Sequence, residues 1–244
     1  MLSNLLQKLR GTAGFSQPCP DRPLAIIGDV HGCADLLHRL LAKLPSDAQV
    51  ILVGDYIDRG EDSAEVLRFL CEQKDLICLR GNHEDMLLRF LEDPERHGPR
   101  WLQYGGLQTL ASFRIAGVHP GATPKALTEC RDALLAEMGT ELVGFVNRLL
   151  SSYLSGNVLV SHAGANPSLA PEYQAPNDLT WGHPDFDRVL RKDGVWVAYG
   201  HVIQDKPTVS HGRIAIDTGA YATGILSAVY LTQGTEPTFI STLR

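Results

Sequence analysis

The stretch Leu24-Ala25-Ile26-Ile27-Gly28-Asp29-Val30-His31-Gly32 decides the fold class of this 244-residue chain. Its four apolar residues are enough for a buried strand and too few for a helix. The run passes at once into glycine, aspartate and histidine, so polar side chains stand at the carboxyl end of an apolar segment. We therefore predict a β-strand at Leu24–Ile27 with chemically active residues at its exit.

The same pattern occurs twice more in the first third of the chain. Val50–Val53 runs into Gly54-Asp55-Tyr56-Ile57-Asp58-Arg59-Gly60, and Leu76–Leu79 is followed by Gly81-Asn82-His83-Glu84. Helical apolar spacing occurs between and after these strands, and it predicts helices at 34–44, 62–73 and 84–92. This β-α-β-α-β order is typical of an α/β fold with a layered sheet.

The rest of the chain predicts an irregular middle, a helical segment and a second set of strands. Residues 93–120 are rich in Gly, Pro and aromatic residues and predict a loop with a short helix, and residues 124–154 predict a helix. Further strands are predicted at Val158–Val160, Val195–Tyr199, Ile214–Ile216 and Ile225–Leu231. We expect one domain over residues 1–244, with a core at about 24–231 and a helical insertion at about 93–155.

Aromatic residues outside the strands have open roles. Trp101 and Tyr104-Gly105-Gly106 fit either a wall of a groove over a site or an anchor for a loop. Tyr221 is a weaker candidate for lining a substrate groove, and Asp217-Thr218-Gly219 is interpreted as a supporting turn.

Composition excludes several functional classes. The chain has 22 Lys and Arg against 28 Asp and Glu, so a broad nucleic-acid surface is not expected. Its five cysteines form no CxxC pair, which argues against a zinc ribbon or a disulfide framework. Met1–Gly11 lacks the apolar run of a signal peptide, and no apolar stretch reaches the roughly 18 residues of a membrane span. We expect a cytoplasmic protein without a membrane partner, and its oligomeric state stays open.

Five predicted strands deliver Asp, Asn or His at their carboxyl ends, where ligands bind in open α/β sheets. One such residue alone is ordinarily a cap or a turn residue, but five of one chemical type indicate a metal site. Asp, Asn and His suit Mn, Fe or Zn. We predict two metals about 3.5–4 Å apart, with Asp55 as the bridging carboxylate.

The three motifs, which begin at positions 28, 54 and 81, resemble the N-terminal signatures of the phosphoprotein phosphatases, a family of calcineurin-like metallophosphoesterases. Ser161-His162-Ala163-Gly164 and Gly200-His201 resemble its two C-terminal histidine motifs. The sequence is most similar to the compact bacterial and phage serine/threonine phosphatases, over about residues 24–231. The resemblance implies a two-sheet α/β sandwich flanked by helices.

The resemblance also implies roles for the motif residues. One divalent ion, Mn²⁺ with Fe or Zn as alternatives, would be held by Asp29, His31 and His201. A second would be held by Asn82 and His162, with Asp55 shared. His83 would be the general acid, oriented by Asp58, and Arg59 would bind phosphate oxygens.

One position departs from the family pattern. Relatives carry a phosphate-binding arginine as Trp-x-Arg, whereas this chain has Trp181-Gly182-His183-Pro184. Either His183 takes that place in substrate binding, or the alignment slips and Arg188 or Arg191 takes it.

The first functional hypothesis is a phosphatase that hydrolyses phosphomonoesters, phosphoserine and phosphothreonine in proteins or small phosphoesters, by direct attack of a metal-bridging hydroxide. The alternative is a hydrolase of the diadenosine tetraphosphate type, whose second motif often lacks the aspartate present here as Asp58. A metal-binding scaffold without turnover is a third, and the retention of His83 argues against it.

Overall fold

The computed structural model describes residues 15–243. Met1–Gly11, for which we predict no signal peptide, lies outside the described residues. Two five-stranded mixed sheets with helices on their outer faces make up the described part of the chain. This confirms the predicted α/β two-sheet sandwich.

The first sheet contains the three strands that carry the N-terminal motifs. Its order is β10-β9-β1-β2-β3, with β1 and β2 parallel, β2 and β3 parallel, and β9 antiparallel to both β1 and β10. The strands are β1 Leu24–Ile27, β2 Gln49–Leu52, β3 Ile77–Cys78, β9 Ser227–Leu231 and β10 Thr238–Ser241. Because β1, β2 and β3 run in the same direction, their carboxyl ends meet at one edge.

The second sheet has the order β4-β5-β6-β8-β7. Its central strands β5, β6 and β8 are parallel, and β4 and β7 pair antiparallel at the two edges. The strands are β4 Ser152–Ser155, β5 Val158–Ser161, β6 Trp196–Tyr199, β7 Thr208–Ser210 and β8 Arg213–Ala215.

Alternate residues of the strands form the core between the sheets. On β1, Leu24 and Ile26 belong to the inter-sheet cluster, whereas Ile27 packs in the cluster beneath the helices. On β5, Val158 and Val160 face the first sheet, as expected from the two-residue period of a strand. Both faces of these strands are therefore buried, which explains their continuous apolar sequence.

Eight α-helices surround the sheets within residues 15–243. They are α1 Ala34–Leu41, α2 Ser63–Glu72, α3 Asn82–Glu92, α4 Pro94–Trp101, α5 Leu107–Ser112, α6 Pro124–Asn147, α7 Pro176–Trp181 and α8 Ala220–Thr223. A π-helical turn at Leu102–Gly106 joins α4 to α5, and a short 3₁₀ turn spans Pro171–Tyr173. Among residues 15–243, no helix has the length and hydropathy needed to cross a membrane.

Residues 93–120, predicted as a loop with a short helix, contain two helices, α4 and α5, whereas residues 113–120 are irregular as expected. The Asp93 side chain caps α4 by accepting from the Arg96 N–H, and Pro94 occupies the first turn, where it costs no hydrogen bond. Asp93 and Pro94, two of the residues that suggested a loop, are thus a helix start.

Other boundaries also differ. α6 ends at Asn147, and Ser152–Ser155 forms β4 instead of extending the helix to 154. α3 begins at Asn82, within the third motif, whereas the predicted helix began at 84. The strands β7 and β10 were not predicted, since they are short edge strands with exposed or half-buried side chains.

Candidate active site

The six predicted metal ligands all follow strands and converge at the carboxyl ends of both sheets. They are buried except for half-buried His201. Asp29 and His31 follow β1, Asp55 follows β2 and Asn82 follows β3, while His162 and His201 follow β5 and β6. The sandwich therefore places residues up to 172 positions apart, such as Asp29 and His201, in contact.

His31 and Asp55 form one half of this cluster. His31 Nδ1 lies 2.7 Å from the Ile57 carbonyl oxygen, to which it donates its proton, leaving Nε2 with a lone pair. That Nε2 lies 3.5 Å from Asp55 Oδ2. Burial lowers the pKa of His31 to about 3, so the imidazole is neutral.

Asn82, His162 and His201 form the other half. Asn82 Oδ1 lies 2.9 Å from His162 Nε2 and 2.8 Å from His201 Nδ1, and the two nitrogens are 3.2 Å apart. Asp55 Oδ1 lies 3.4 Å from His162 Nε2, so Asp55 presents one oxygen to each half. His201 thus lies with Asn82 and His162, which differs from the predicted division that grouped it with Asp29 and His31.

Asp29 belongs to a concentration of buried negative charge. Its carboxylate accepts from the His201 backbone N–H at 3.0 and 3.1 Å. Burial first, then the nearby carboxylates of Asp217 and Asp55, raise the pKa of Asp29 well above its usual value. Asp217, interpreted from the sequence as a turn residue, is itself buried at this edge.

This donor set fits divalent cations. The neutral imidazoles of His31 and His162 hold their outer nitrogens against backbone carbonyls and turn lone pairs inward, as metal-bound histidines do. Burial also lowers the pKa of His162 to about 4. Ligand atoms of Asp55, His162 and His201 lie within 4.8 Å of one another, as do those of His31, Asp55 and His83. Buried carboxylates that repel one another are stabilised when cations lie between them.

Glycines permit this close packing. A Cβ on Gly81 would collide with Asp55 Oδ1, and one on Gly200 would collide with Asp29 Oδ1. Five non-glycine residues of the motifs adopt left-handed backbone angles, with φ between 45° and 70°: His31, Asp55, Asp58, Arg59 and His201. Such strain persists where the surrounding structure enforces it and is concentrated at functional sites.

His83 and Asp58 form a buried pair next to the ligands. His83 Nδ1 lies 2.6 Å from Asp58 Oδ2, and His83 Nε2 lies 3.9 Å from Asp55 Oδ2. Burial alone would lower the pKa of His83, but the Asp55 charge and the bond to Asp58 outweigh it and raise the pKa above its usual value. The pair is arranged as a general acid with its orienting carboxylate.

Two residues outside the predicted ligands and catalytic residues hold Asp58. Trp101 Nε1 donates to the Asp58 carboxylate at 3.0 Å, and Thr109 Oγ1 donates to it at 2.6 Å. These residues lie on either side of Leu102–Gly106, where Gly105 has a positive φ of 116° that interrupts the helix. Trp101 is therefore a buried hydrogen-bond donor that supports Asp58. From the sequence, Trp101 was considered as a groove wall or a loop anchor, and neither role included a bond to Asp58.

Trp101→Phe tests this support. The substitution keeps an aromatic ring against Phe90 but removes the indole N–H that binds Asp58. We expect kcat to fall about tenfold with KM little changed, the effect of one lost bond to a charged group. Steady-state kinetics on a phosphoserine peptide, whose alkoxide leaving group needs the proton from His83, measures this. Trp196→Phe is the matched control, since Trp196 Nε1 donates to the Ser16 carbonyl; an equal loss in both variants would contradict the assigned role.

Glu84 organises the backbone of two motifs. Its fully buried carboxylate accepts from the backbone N–H groups of Asp55, Tyr56 and Gly81, at 2.8–3.0 Å. It thereby ties the second motif to the third. One sequence signal could have identified Glu84, because a glutamate in the first turn of a helix commonly binds backbone N–H groups.

Glu84→Ala is expected to lower the free energy of unfolding by about 3 kcal/mol or more, since it leaves three buried N–H groups without acceptors. Urea unfolding followed by circular dichroism measures the change. Glu65→Ala, on the exposed face of α2, is the control and is expected to shift stability by less than about 0.5 kcal/mol. Similar midpoints for the two variants would show that Glu84 does not organise the motifs.

Arg59 lies at the entrance to the site. Its Nη1 lies 3.0 Å from His31 Nε2, and its guanidinium stacks 5.1 Å from the Tyr221 ring centroid. Arg59, Tyr104 and Tyr221 line an open groove of about 460 Å³. Tyr104 and Tyr221 thus form walls of this groove. A groove wall was one of the two roles considered for Tyr104, and lining a substrate groove was the role suggested for Tyr221.

The three candidates for a second phosphate-binding residue differ in whether their side-chain donors are already engaged in hydrogen bonds. Arg191 is engaged with Asp193 and with the carbonyls of Asn166 and Leu169, so it offers no free pair of donors. Arg188 is exposed on the surface. His183 is half-buried, and its Nδ1 accepts from the Asp185 N–H at 3.2 Å.

Comparison with known proteins agrees with this geometry. The calcineurin-like phosphoesterase family matches residues 22–205, and the chain therefore belongs to that family. It is a hydrolase of the metallophosphoesterase type, and divalent metal ions are implied by the family and by the donor set.

Individual relatives carry two kinds of name. The chain is 28% identical to bis(5'-nucleosyl)-tetraphosphatase PrpE [asymmetrical] of Oceanobacillus iheyensis, over 80% of this chain and 82% of the relative. It is 29% identical to serine/threonine-protein phosphatase 2 of Salmonella typhimurium, over 84% and 91%. A crystal structure described as a candidate diadenosine tetraphosphatase superposes with a TM-score of 0.62 at 18% identity, covering 93% of this chain and 98% of that one.

Proposed function

We propose that the protein hydrolyses phosphomonoesters, with phosphoserine and phosphothreonine in proteins as its substrate class, using two divalent cations. The observation that carries this proposal is the buried His83–Asp58 pair beside Asp55. We further propose Mn²⁺ as the ion, with Fe or Zn as alternatives, and a single-domain cytoplasmic enzyme.

Divalent cations held by Asp29, His31, Asp55, Asn82, His162 and His201 would polarise the phosphoryl oxygens and lower the pKa of a nearby water. The chain's own residues supply the proton and the orientation. His83 gives a proton from Nε2 to the departing oxygen, while Asp58 accepts the Nδ1–H bond and keeps the ring in place. Arg59 gives up its bond to His31 and donates to the phosphate oxygens, which suit a guanidinium.

A built-in general acid favours an alkyl ester over a polyphosphate. The alkoxide of serine or threonine is a poor leaving group and needs a proton as the bond breaks, whereas a nucleotide phosphate leaves as a stable anion. General acid catalysis contributes most where the leaving group is most basic. The buried His83–Asp58 pair therefore supports the phosphoprotein substrate.

A dinucleoside polyphosphate is the second candidate. The relative named as a bis(5'-nucleosyl)-tetraphosphatase supports it. The groove with Tyr104 and Tyr221 beside Arg59 also supports it, because aromatic walls suit a nucleobase.

A side-by-side assay of a phosphoserine peptide and diadenosine tetraphosphate, with Mn²⁺ supplied, tests the proposal. We expect a higher kcat/KM for the peptide. A higher kcat/KM for diadenosine tetraphosphate would support the second candidate instead. No turnover of any phosphoester would support the hypothesis of a metal-binding scaffold without catalytic activity.

A further inference from the structure

A small cavity of about 50 Å³ lies beside the active site. It is lined by Met86, Arg89, His97, Arg100 and Trp181, and we call it the Trp181 pocket. Four of these side chains carry nitrogen donors and none is acidic. Such a lining suits the oxygens of a phosphate or a carboxylate.

Arg100 supplies uncompensated positive charge to the Trp181 pocket. Its guanidinium lies 5.4 Å from the Trp181 ring centroid and 5.7 Å from that of Tyr104, so two rings fix its position. Within residues 15–243, Arg100 is exposed and has no ion-pair partner. Arg89 differs, because its Nε donates to Asp85 Oδ2 at 3.0 Å.

The Trp181 pocket adjoins the metal-ligand cluster without being part of it. Trp181 Nε1 donates to Asp85 Oδ2 at 2.8 Å, and Asp85 lies one turn of α3 after Asn82. Met86 and Arg89 follow Asn82 by four and seven residues, which places them about 6 and 10 Å along the helix axis. On its other side, Arg100 stacks on Tyr104, a wall of the groove that contains Arg59.

We propose that the Trp181 pocket binds a second anionic group of the substrate, a carboxylate or phosphate beyond the scissile phosphate, with Arg100 as its principal cation. This inference rests on the proposed function. Successive residues of an extended peptide advance about 3.3–3.6 Å, so an acidic residue two or three positions from phosphoserine reaches the pocket. α4 then supplies a cation beside Trp181.

The test compares two phosphoserine peptides. One carries glutamates two and three positions on each side of phosphoserine, and the other carries alanines there. We expect the wild-type protein to prefer the acidic peptide about tenfold in kcat/KM, the value of one bond to a charged group. In Arg100→Gln the ratio is expected to fall to about one. Arg96→Gln, an exposed arginine on the same helix outside the pocket, is the matched control and keeps the wild-type ratio.

A binding measurement separates this inference from the proposed function. Inorganic tripolyphosphate is titrated into chelator-treated, metal-free protein, and binding is followed by tryptophan fluorescence, to which Trp181 contributes together with Trp101 and Trp196. We expect saturable binding in wild type and Arg96→Gln, weakened at least about fivefold in Arg100→Gln. If neither peptide is hydrolysed, the proposed function is wrong. The titration then still shows whether the Trp181 pocket binds an anion. An unchanged Kd in Arg100→Gln, no binding in the wild type, or an unchanged peptide ratio in that variant would overturn the proposal.

Discussion

His83→Asn is expected to lower kcat for a phosphoserine peptide by about 10²–10⁴-fold, the usual contribution of a positioned general acid. For p-nitrophenyl phosphate the loss is expected to stay below about tenfold, because nitrophenolate departs without a proton. The acid role of His83 is inferred from the bond of 2.6 Å between His83 Nδ1 and Asp58, which orients Nε2 toward the ligand cluster. Single-turnover rates on both substrates measure it.

The control for this variant is His38→Asn. His38 is an exposed histidine on α1 that pairs with Glu65 and is not one of the predicted site residues. It is expected to retain wild-type rates on both substrates. Equal losses on the alkyl and the aryl ester in His83→Asn would contradict the acid role and assign His83 to binding or to organising the cluster instead.

Asp55→Asn is expected to abolish activity, by about 10³-fold or more, because a neutral amide replaces the carboxylate that faces both halves of the ligand cluster. The amide oxygen still accepts from the His83 backbone N–H, which Asp55 Oδ1 now binds at 3.0 Å, so the fold is expected to survive. Metal content after gel filtration should fall from two equivalents toward one or none.

Thermal unfolding gives a second readout for Asp55→Asn that does not depend on catalysis. Ions that bind only the folded protein raise its Tm, so Mn²⁺ should stabilise the wild type and stabilise the variant less. Asp75→Asn, an exposed aspartate, should behave like the wild type. Two tightly bound equivalents in Asp55→Asn would overturn the bridging role.

Much of the fold was predictable, because the strands near the site are buried on both faces and read as continuous apolar runs. β1 was predicted with its exact ends, at Leu24–Ile27. Edge strands such as β7 were missed, since they bury little and leave a weak pattern. The segment 93–112 is more helical than predicted, because its prolines and glycines belong to a capped helix and to a kink at Gly105, which only packing reveals.

The sequence alone was enough for the α/β class and for the strand ends that carry polar residues, and it predicted six metal ligands there. These are local properties, because each depends on a short motif that combines glycine with acidic and other polar residues at the end of an apolar strand. Only the tertiary structure grouped His201 with Asn82 and His162, brought Trp101 and Thr109 to Asp58, and set Arg100 against the Trp181 ring. Those pairings join residues that are dozens of positions apart, and no local pattern encodes which distant side chains the packing of two sheets and their helices will bring together.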